Sequence, residues 1–193
     1  MKKENMGGFE QEDMEEIPHW KSKTGSFLSF IKETVFIVIA AFLISLVIRF
    51  FVIEAFIIQQ HSMDPTLFEG ERVLVSKLVY RFSPVEYGDI IILKSPMRSA
   101  DYVKRVIATE GETIEIKDGD LFIDGKQVDE PYVKSVDVSN YGPVKIPYDK
   151  VFVAGDNRPN SLDSRIFGPI SEDDIIGKVF FIYWPMDKIG FVN

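Results

Sequence analysis

One stretch limits what this chain can fold into more than any other: Thr34 to Ile53, TVFIVIAAFLISLVIRFFVI, about 20 residues in which only Thr34, Ser45 and Arg49 are polar or charged. At the helical rise it spans roughly 30 Å, the thickness of a bilayer core. Arg49 lies near the end of the run, where its side chain can snorkel to the interface. A secretory signal peptide is a poor match, because the run starts late, is too long and is followed by no small-x-small cleavage site. A buried core helix is the alternative, and near-uniform apolarity around the whole helix over this length favours a membrane span. The sequence therefore predicts a transmembrane helix over residues 34–53. Lys21, Lys23 and Lys32 precede it, which places the N-terminus in the cytoplasm and everything after Ile53 outside the cell membrane.

Residues 1–33, with the acidic run Glu10, Glu12, Asp13, Glu15 and Glu16, read as a flexible cytoplasmic tail. From Glu54 the pattern changes to short runs rich in β-branched and aromatic residues. Arg72–Tyr80, Asp89–Leu93, Tyr102–Ala108, Thr113–Lys117, Leu121–Ile123, Val151–Val153 and Lys178–Trp184 are predicted strands. Asp118-Gly119 and Asp124-Gly125 are hairpin turns. Helical periodicity is scarce there, so residues 54–193 are expected to form a mainly β extracytoplasmic domain, an antiparallel sandwich or partly open barrel. Within it, about 112–150 reads as a small non-catalytic hairpin and loop insertion. Its part from Val128 to Lys150 holds Pro131, Gly142, Pro143 and Pro147 and is expected to lie loosely over the sheet.

The chemistry concentrates in Gln59-Gln60-His61-Ser62-Met63-Asp64-Pro65-Thr66-Leu67, a polar, proline-marked turn shortly after the apolar run. A serine hydroxyl is a poor nucleophile until a base takes its proton. Only two histidines exist, His19 and His61. His19 lies before the predicted span, and His61 is the immediate neighbour of Ser62, so in extended backbone their side chains diverge. The placement of the two histidines argues against a Ser-His-Asp triad, and with no cysteine in the chain a thiol nucleophile and a Cys-rich zinc site are excluded. The base must be a lysine or a carboxylate.

Lys104 stands in the apolar strand Tyr102-Val103-Lys104-Arg105-Val106-Ile107, where alternation places Tyr102, Lys104 and Val106 on one face. If that face is inward, burial lowers the amine below its value of about 10.4 in water and makes it a base. If it is outward, Lys104 is an ordinary solvated lysine. A second polar concentration runs from Gly155 to Gly168, directly after the strand Val151–Val153. Composition alone fits a loop that fixes geometry beside a site or an ordinary surface loop with an ion pair.

Taken together, Ser62-Met63-Asp64-Pro65-Thr66-Leu67, Gly88-Asp89-Ile90-Ile91, Tyr102-Val103-Lys104-Arg105-Val106-Ile107-Ala108 and Gly155-Asp156-Asn157-Arg158 through Ser161, Asp163, Ser164, Arg165 and Gly168 resemble the four ordered boxes of type I signal peptidases. The resemblance implies a membrane-anchored serine endopeptidase with a serine-lysine dyad that removes signal peptides from exported preproteins. By position, Ser62 is the expected nucleophile and Lys104 the general base. Ser161 matches a hydroxyl that orients the amine, Asp163 and Arg165 a supporting ion pair, and Asp156 and Asn157 further support. Arg105 is expected to be structural. The oxyanion hole would use the Ser62 backbone N–H. Family members carry serine or glycine two positions before the nucleophile, where this chain has Gln60, whose side-chain amide could donate instead. Phe56, Ile58 and Val103 would line shallow pockets for small substrate side chains.

Eight residue steps from Glu54 to Ser62 reach at most about 28 Å, so the nucleophile is expected near the membrane surface, where a tethered substrate presents its cleavage site. Phe50, Phe51 and Phe56 suit that interface. The alternatives are a self-cleaving serine-lysine protease, for which no DNA-binding module is visible, and a catalytically impaired membrane-anchored paralogue, which Gln60 keeps open. A net charge of -8 argues against nucleic acid. The expected partners are preproteins and membrane lipid, with no cofactor and no metal.

Overall fold

The computed structural model describes residues 24–47, 52–97, 99–135 and 137–192. The chain divides into two units, the first ending at Leu43 and the second running from Ile44.

Helix α1, Thr24–Val47, makes up the described part of the first unit and the start of the second. Its stretch Phe27–Leu46 has a mean hydropathy of 2.2 and is long and apolar enough to cross a membrane. Phe27, Leu28, Phe36, Phe42 and Ile44 are all exposed, so the helix has no apolar stripe reserved for a protein core. The helix begins earlier than the predicted span of 34–53, because Phe27, Leu28, Phe30 and Ile31 extend the apolar pattern through Lys32 and Glu33. Its described part ends at Val47. Ile53 is already in a strand, where pairing with Ser76 overrides its helical sequence context. Lys21, Lys23, Arg49, Phe50, Phe51, His19 and most of the predicted tail lie outside the described residues.

The second unit is antiparallel β. Its strands are β1 (Ile53–Ile57), β2 (Arg72–Ser76), β3 (Ile90–Lys94), β4 (Asp101–Ala108), β5 (Thr113–Lys117), β6 (Asp120–Ile123), β7 (Lys126–Val128), β8 (Tyr141–Lys145), β9 (Lys150–Ala154), β10 (Ile170–Ser171), β11 (Ile175–Trp184) and β12 (Gly190–Phe191). The larger sheet runs β1-β2-β11-β3-β4-β9-β10, with β12 also on β11; the smaller runs β7-β6-β5-β8. The mainly β reading of the sequence is thus correct.

β3 and β4 carry the centre of the large sheet and are buried on both faces. One face joins Ile90, Ile92 and Val103 to Met63, Leu67, Val73 and Val179. The other joins Ile91, Leu93, Tyr102 and Val106 to Val151 and Val153. Ile107, Phe152 and Ala154 pack with Ile114, Ile116 and Leu121 of the smaller sheet, so the two sheets share a core.

Both predicted hairpin turns are present. Asp118 and Gly119 have φ of 52° and 91°, Asp124 and Gly125 of 49° and 75°, the paired positive angles that fit the twist of a two-residue hairpin. The segment expected to lie loosely over the sheet contains β8, which pairs with β5. Pro143 is tolerated because β8 is an edge strand, where a missing N–H breaks no ladder.

Candidate active site

Three segments converge on Ser62: the turn after β1, the middle of β4, and the loop after β9. Met63 and Leu67 are fully buried in the core, and the Thr66 and Leu67 N–H groups both donate to the Met63 carbonyl at 2.8 and 3.0 Å. Anchored by these two apolar side chains, the turn holds Ser62 at a fixed point. Among the described residues the Ser62 backbone N–H has no hydrogen-bond acceptor.

Lys104 sits in β4 opposite Ile91 of β3. Its Nζ donates to Ser62 Oγ at 2.7 Å, and the two residues are 1% and 3% exposed. Burial pushes the amine down to about 8; Asp163 pulls it up, Arg165 lowers it and Asp156 raises it. The inward alternative for Lys104 is therefore the one the fold adopts. The amine also lies 5.2 Å from the centroid of the Tyr102 ring, on the strand face predicted by alternation.

The loop after β9 clamps the turn. The Asn157 N–H donates to the Ser62 carbonyl (3.0 Å) and its side-chain amide to the His61 carbonyl (3.0 Å). Asp156 takes both prongs of the Arg105 fork, Nε to Oδ1 at 2.9 Å and Nη2 to Oδ2 at 2.8 Å, and also accepts from the Thr66 hydroxyl. Burial works against the Arg105 charge, and its hydrogen bonds to Asp156 more than offset this, so the guanidinium is held firmly ionised. Asp163 caps α2 (Ser164–Phe167) by accepting from the Arg165 N–H, pairs with the Arg165 side chain at 2.8 and 2.9 Å, and accepts from the Gly155 N–H at 3.1 Å.

Ser161 is placed differently from the expectation. Its hydroxyl accepts from the Gly155 N–H (3.1 Å), and the Lys104 amine has its only hydrogen bond, among the described residues, with Ser62. His61 is exposed and lies between Asp64 and Glu69, with nitrogen-oxygen distances of 3.3 and 3.0 Å.

Phe56, Ile58 and Val103 line one recess of about 400 Å³ that reaches Gln60. Ile58 and Val103 belong at the same time to the core, so part of the recess wall is packed core. A second recess, about 560 Å³, borders Gln60, His61, Tyr102 and Leu162. Gln60 lines both, and its side chain makes no hydrogen bond among the described residues. No group of His, Asp or Glu able to hold a metal ion occurs among the described residues.

Sequence reasoning missed several contributors. Gly155 appeared only as part of a motif, and Thr66 only as part of the turn. Glu130, Tyr132 and Asp137 lay in a proline-marked stretch whose composition matches any surface loop, and only their contacts with Arg158, Arg105 and Arg165 single them out.

Residues 31–184 match the family model described as signal peptidase, peptidase S26. The chain is 40% identical to signal peptidase I T of Bacillus subtilis, over 88% of this chain and 91% of that one. It is 42% identical to signal peptidase I of Bacillus amyloliquefaciens, over 77% and 82%, and 38% identical to the probable signal peptidase I-1 of Synechocystis, over 83% and 86%. A crystal structure of a signal peptidase I from Enterococcus faecalis aligns over 50% of this chain and 97% of its own, with 29% identity and a TM-score of 0.46.

Proposed function

This chain belongs to the signal peptidases of peptidase family S26, serine peptidases that cleave signal peptides, and on that premise we propose that Ser62 and Lys104 form its catalytic dyad and α1 its membrane anchor. The observation that carries the dyad is the buried contact of 2.7 Å between Lys104 Nζ and Ser62 Oγ.

The neutral amine accepts the Ser62 proton across that contact while Oγ attacks the scissile carbonyl. The ammonium so formed then gives the proton to the departing amine of the mature protein, which leaves an acyl-enzyme. Water, deprotonated by the same lysine, releases the signal peptide and restores Ser62. The negative charge on the tetrahedral oxygen is met by the unengaged Ser62 N–H, with the Gln60 side-chain amide as second donor. Asp156, Asn157, Asp163, Arg165 and Ser161 keep the turn and the strand in register. The recess of Phe56, Ile58 and Val103 admits small side chains before the scissile bond and rejects bulky ones, because part of its wall is packed core.

The lysines before α1 favour a cytoplasmic N-terminus, with the β domain outside the cell membrane, where preproteins emerge. The substrates are preproteins carrying signal peptides. The test is cleavage of a preprotein by full-length, detergent-solubilised enzyme. Ser62→Ala and Lys104→Ala are each expected to abolish cleavage. Equal cleavage by all three proteins would overturn the dyad, and no cleavage by the wild type would point to the impaired paralogue.

A further inference from the structure

Three arginines hold the loop after β9, and each is seated by a residue from the connection between β7 and β8. Arg158 donates Nε to the Gly155 carbonyl (3.0 Å) and Nη2 to Glu130 Oε1 (2.6 Å). Arg165 pairs with Asp163, donates to the Arg158 carbonyl at 2.6 Å, and makes an ion pair with Asp137. Arg105, whose fork grips Asp156, lies with its guanidinium carbon 3.9 Å from the centroid of the Tyr132 ring. The Tyr132 hydroxyl also donates to Glu130 Oε1 (2.8 Å) and meets the Tyr87 hydroxyl at 2.9 Å. The seating residues are thus partly tied to one another.

Each contact leads toward the dyad. Glu130 reaches the Gly155 carbonyl through Arg158. Tyr132 reaches Asp156 and the Thr66 hydroxyl through Arg105. Asp137 reaches Asp163 and the Gly155 N–H through Arg165. Gly155 and Asn157 in turn border the Ser62 carbonyl. Arg105 and Arg158 are buried, and a buried guanidinium keeps a unique position only when its charge and donors are met. For Arg158 and Arg165 the loop supplies partners on one side and the connection between β7 and β8 on the other; Arg105 also donates Nη1 to the Gly88 carbonyl at 2.9 Å, and from the connection it takes the face of the Tyr132 ring.

We propose that Glu130, Tyr132 and Asp137 are positioning residues for the cleavage reaction, fixing the loop after β9 against the nucleophile turn and thereby setting the Ser62–Lys104 geometry. The small sheet, expected from sequence to be a non-catalytic insertion, is then one wall of the catalytic apparatus. This rests on the dyad reading above.

The test uses full-length, detergent-solubilised enzyme, a preprotein substrate and thermal melts in parallel. Tyr132→Leu and Glu130→Ala are expected to lower kcat about ten-fold per folded molecule and leave KM within about two-fold, since small displacements of reacting groups are felt in the transition state. Tyr132→Phe keeps the ring over Arg105 and should restore kcat to within about two-fold of wild type. If the larger changes prevent folding, the near-isosteric Glu130→Gln and Asp137→Asn decide, with an expected fall in kcat of at least about three-fold. Unchanged kcat with a lower Tm, or a raised KM with unchanged kcat, would overturn the proposal. Wild-type cleavage by Ser62→Ala or Lys104→Ala would overturn the dyad and this proposal with it, whereas dead dyad variants beside fully active Glu130, Tyr132 and Asp137 variants would overturn this proposal alone.

Discussion

The α-carbon of Gly155 faces the Ser62 carbonyl so closely that a methyl group there would stand 2.4 Å from that oxygen, and 2.4 Å from the Ser161 hydroxyl. The Ser62 side of this contact is backbone held by the Asn157 N–H, so it cannot rotate away. Gly155→Ala is therefore expected to push the nucleophile turn off the lysine. It should destabilise the protein by about 1–3 kcal/mol and lower kcat by up to about 100-fold. Urea denaturation and steady-state cleavage check both, and wild-type kinetics would show that the loop yields instead.

The pH dependence follows from Lys104. Burial brings its amine down to about 8, and in the proposed dyad only the neutral form can accept the Ser62 proton. Below that value activity should fall about ten-fold per pH unit in kcat/KM; above it activity should level off. A rate profile on a preprotein locates the limb, and a limb near 10.5, the ordinary lysine value, would mean the amine is hydrated in the working enzyme.

The same depression predicts a stability cost. Unfolded, Lys104 keeps its proton up to its ordinary 10.5; folded, it releases it at about 8. Between those values the unfolded state binds more protons, so stability rises with pH across this window, and below it the native state carries the full penalty, about 3 kcal/mol by linkage. Lys104→Met should thus be more stable than wild type at pH 7, with the advantage shrinking towards pH 10.5. Ser62→Ala, which removes the hydrogen bond but leaves the amine, separates the two contributions in denaturation series.

The Arg105–Asp156 pair should be intolerant of single changes. Both groups are buried and joined by two hydrogen bonds. Asp156→Asn leaves an uncompensated guanidinium and is expected to cost about 3–5 kcal/mol. Arg105→Lys should fail to substitute, because one ammonium cannot reproduce the fork. Chemical denaturation measures both, and an Arg105→Lys variant of wild-type stability would contradict the argument.

Gln60 gives a prediction on rate alone. Its side chain lines both recesses without a hydrogen-bond partner among the described residues, which in the proposed mechanism leaves it to donate to the tetrahedral oxygen. Gln60→Ala should lower kcat about 100-fold with little change in KM, the loss of one donor to that oxygen. Gln60→Glu should be worse, because a carboxylate opposes the developing charge. An alanine variant of full kcat would leave Ser62 N–H as the sole donor at this point.

Some of this could be seen in the chain without coordinates. Thr113–Lys117 was legible as a strand residue for residue, because its alternation matches a half-buried face. The hairpins at Asp118-Gly119 and Asp124-Gly125 were legible because Asp-Gly accepts the positive φ that such turns need. The strand Tyr102–Ala108 was found one residue short. β1 was not found, since Ile53 has an apolar neighbourhood on both sides and only pairing with Ser76 decides between helix and strand. β8 was hidden by Gly142 and Pro143, which signal a loop wherever edge position is unknown.

What the sequence by itself determined was the list of usable groups: an apolar helix, a β domain, a serine and no cysteine, with a lysine in an apolar strand. Those are properties of neighbours along the chain, set by periodicity, turn chemistry and composition. Only the tertiary structure decided that Lys104 faces inward, that it meets Ser62 across 42 positions of sequence, and that Glu130, Tyr132 and Asp137 seat the three arginines behind them. Desolvation and contact are summed over atoms that chain order does not bring together, so they exist only once the sheets have closed over the site.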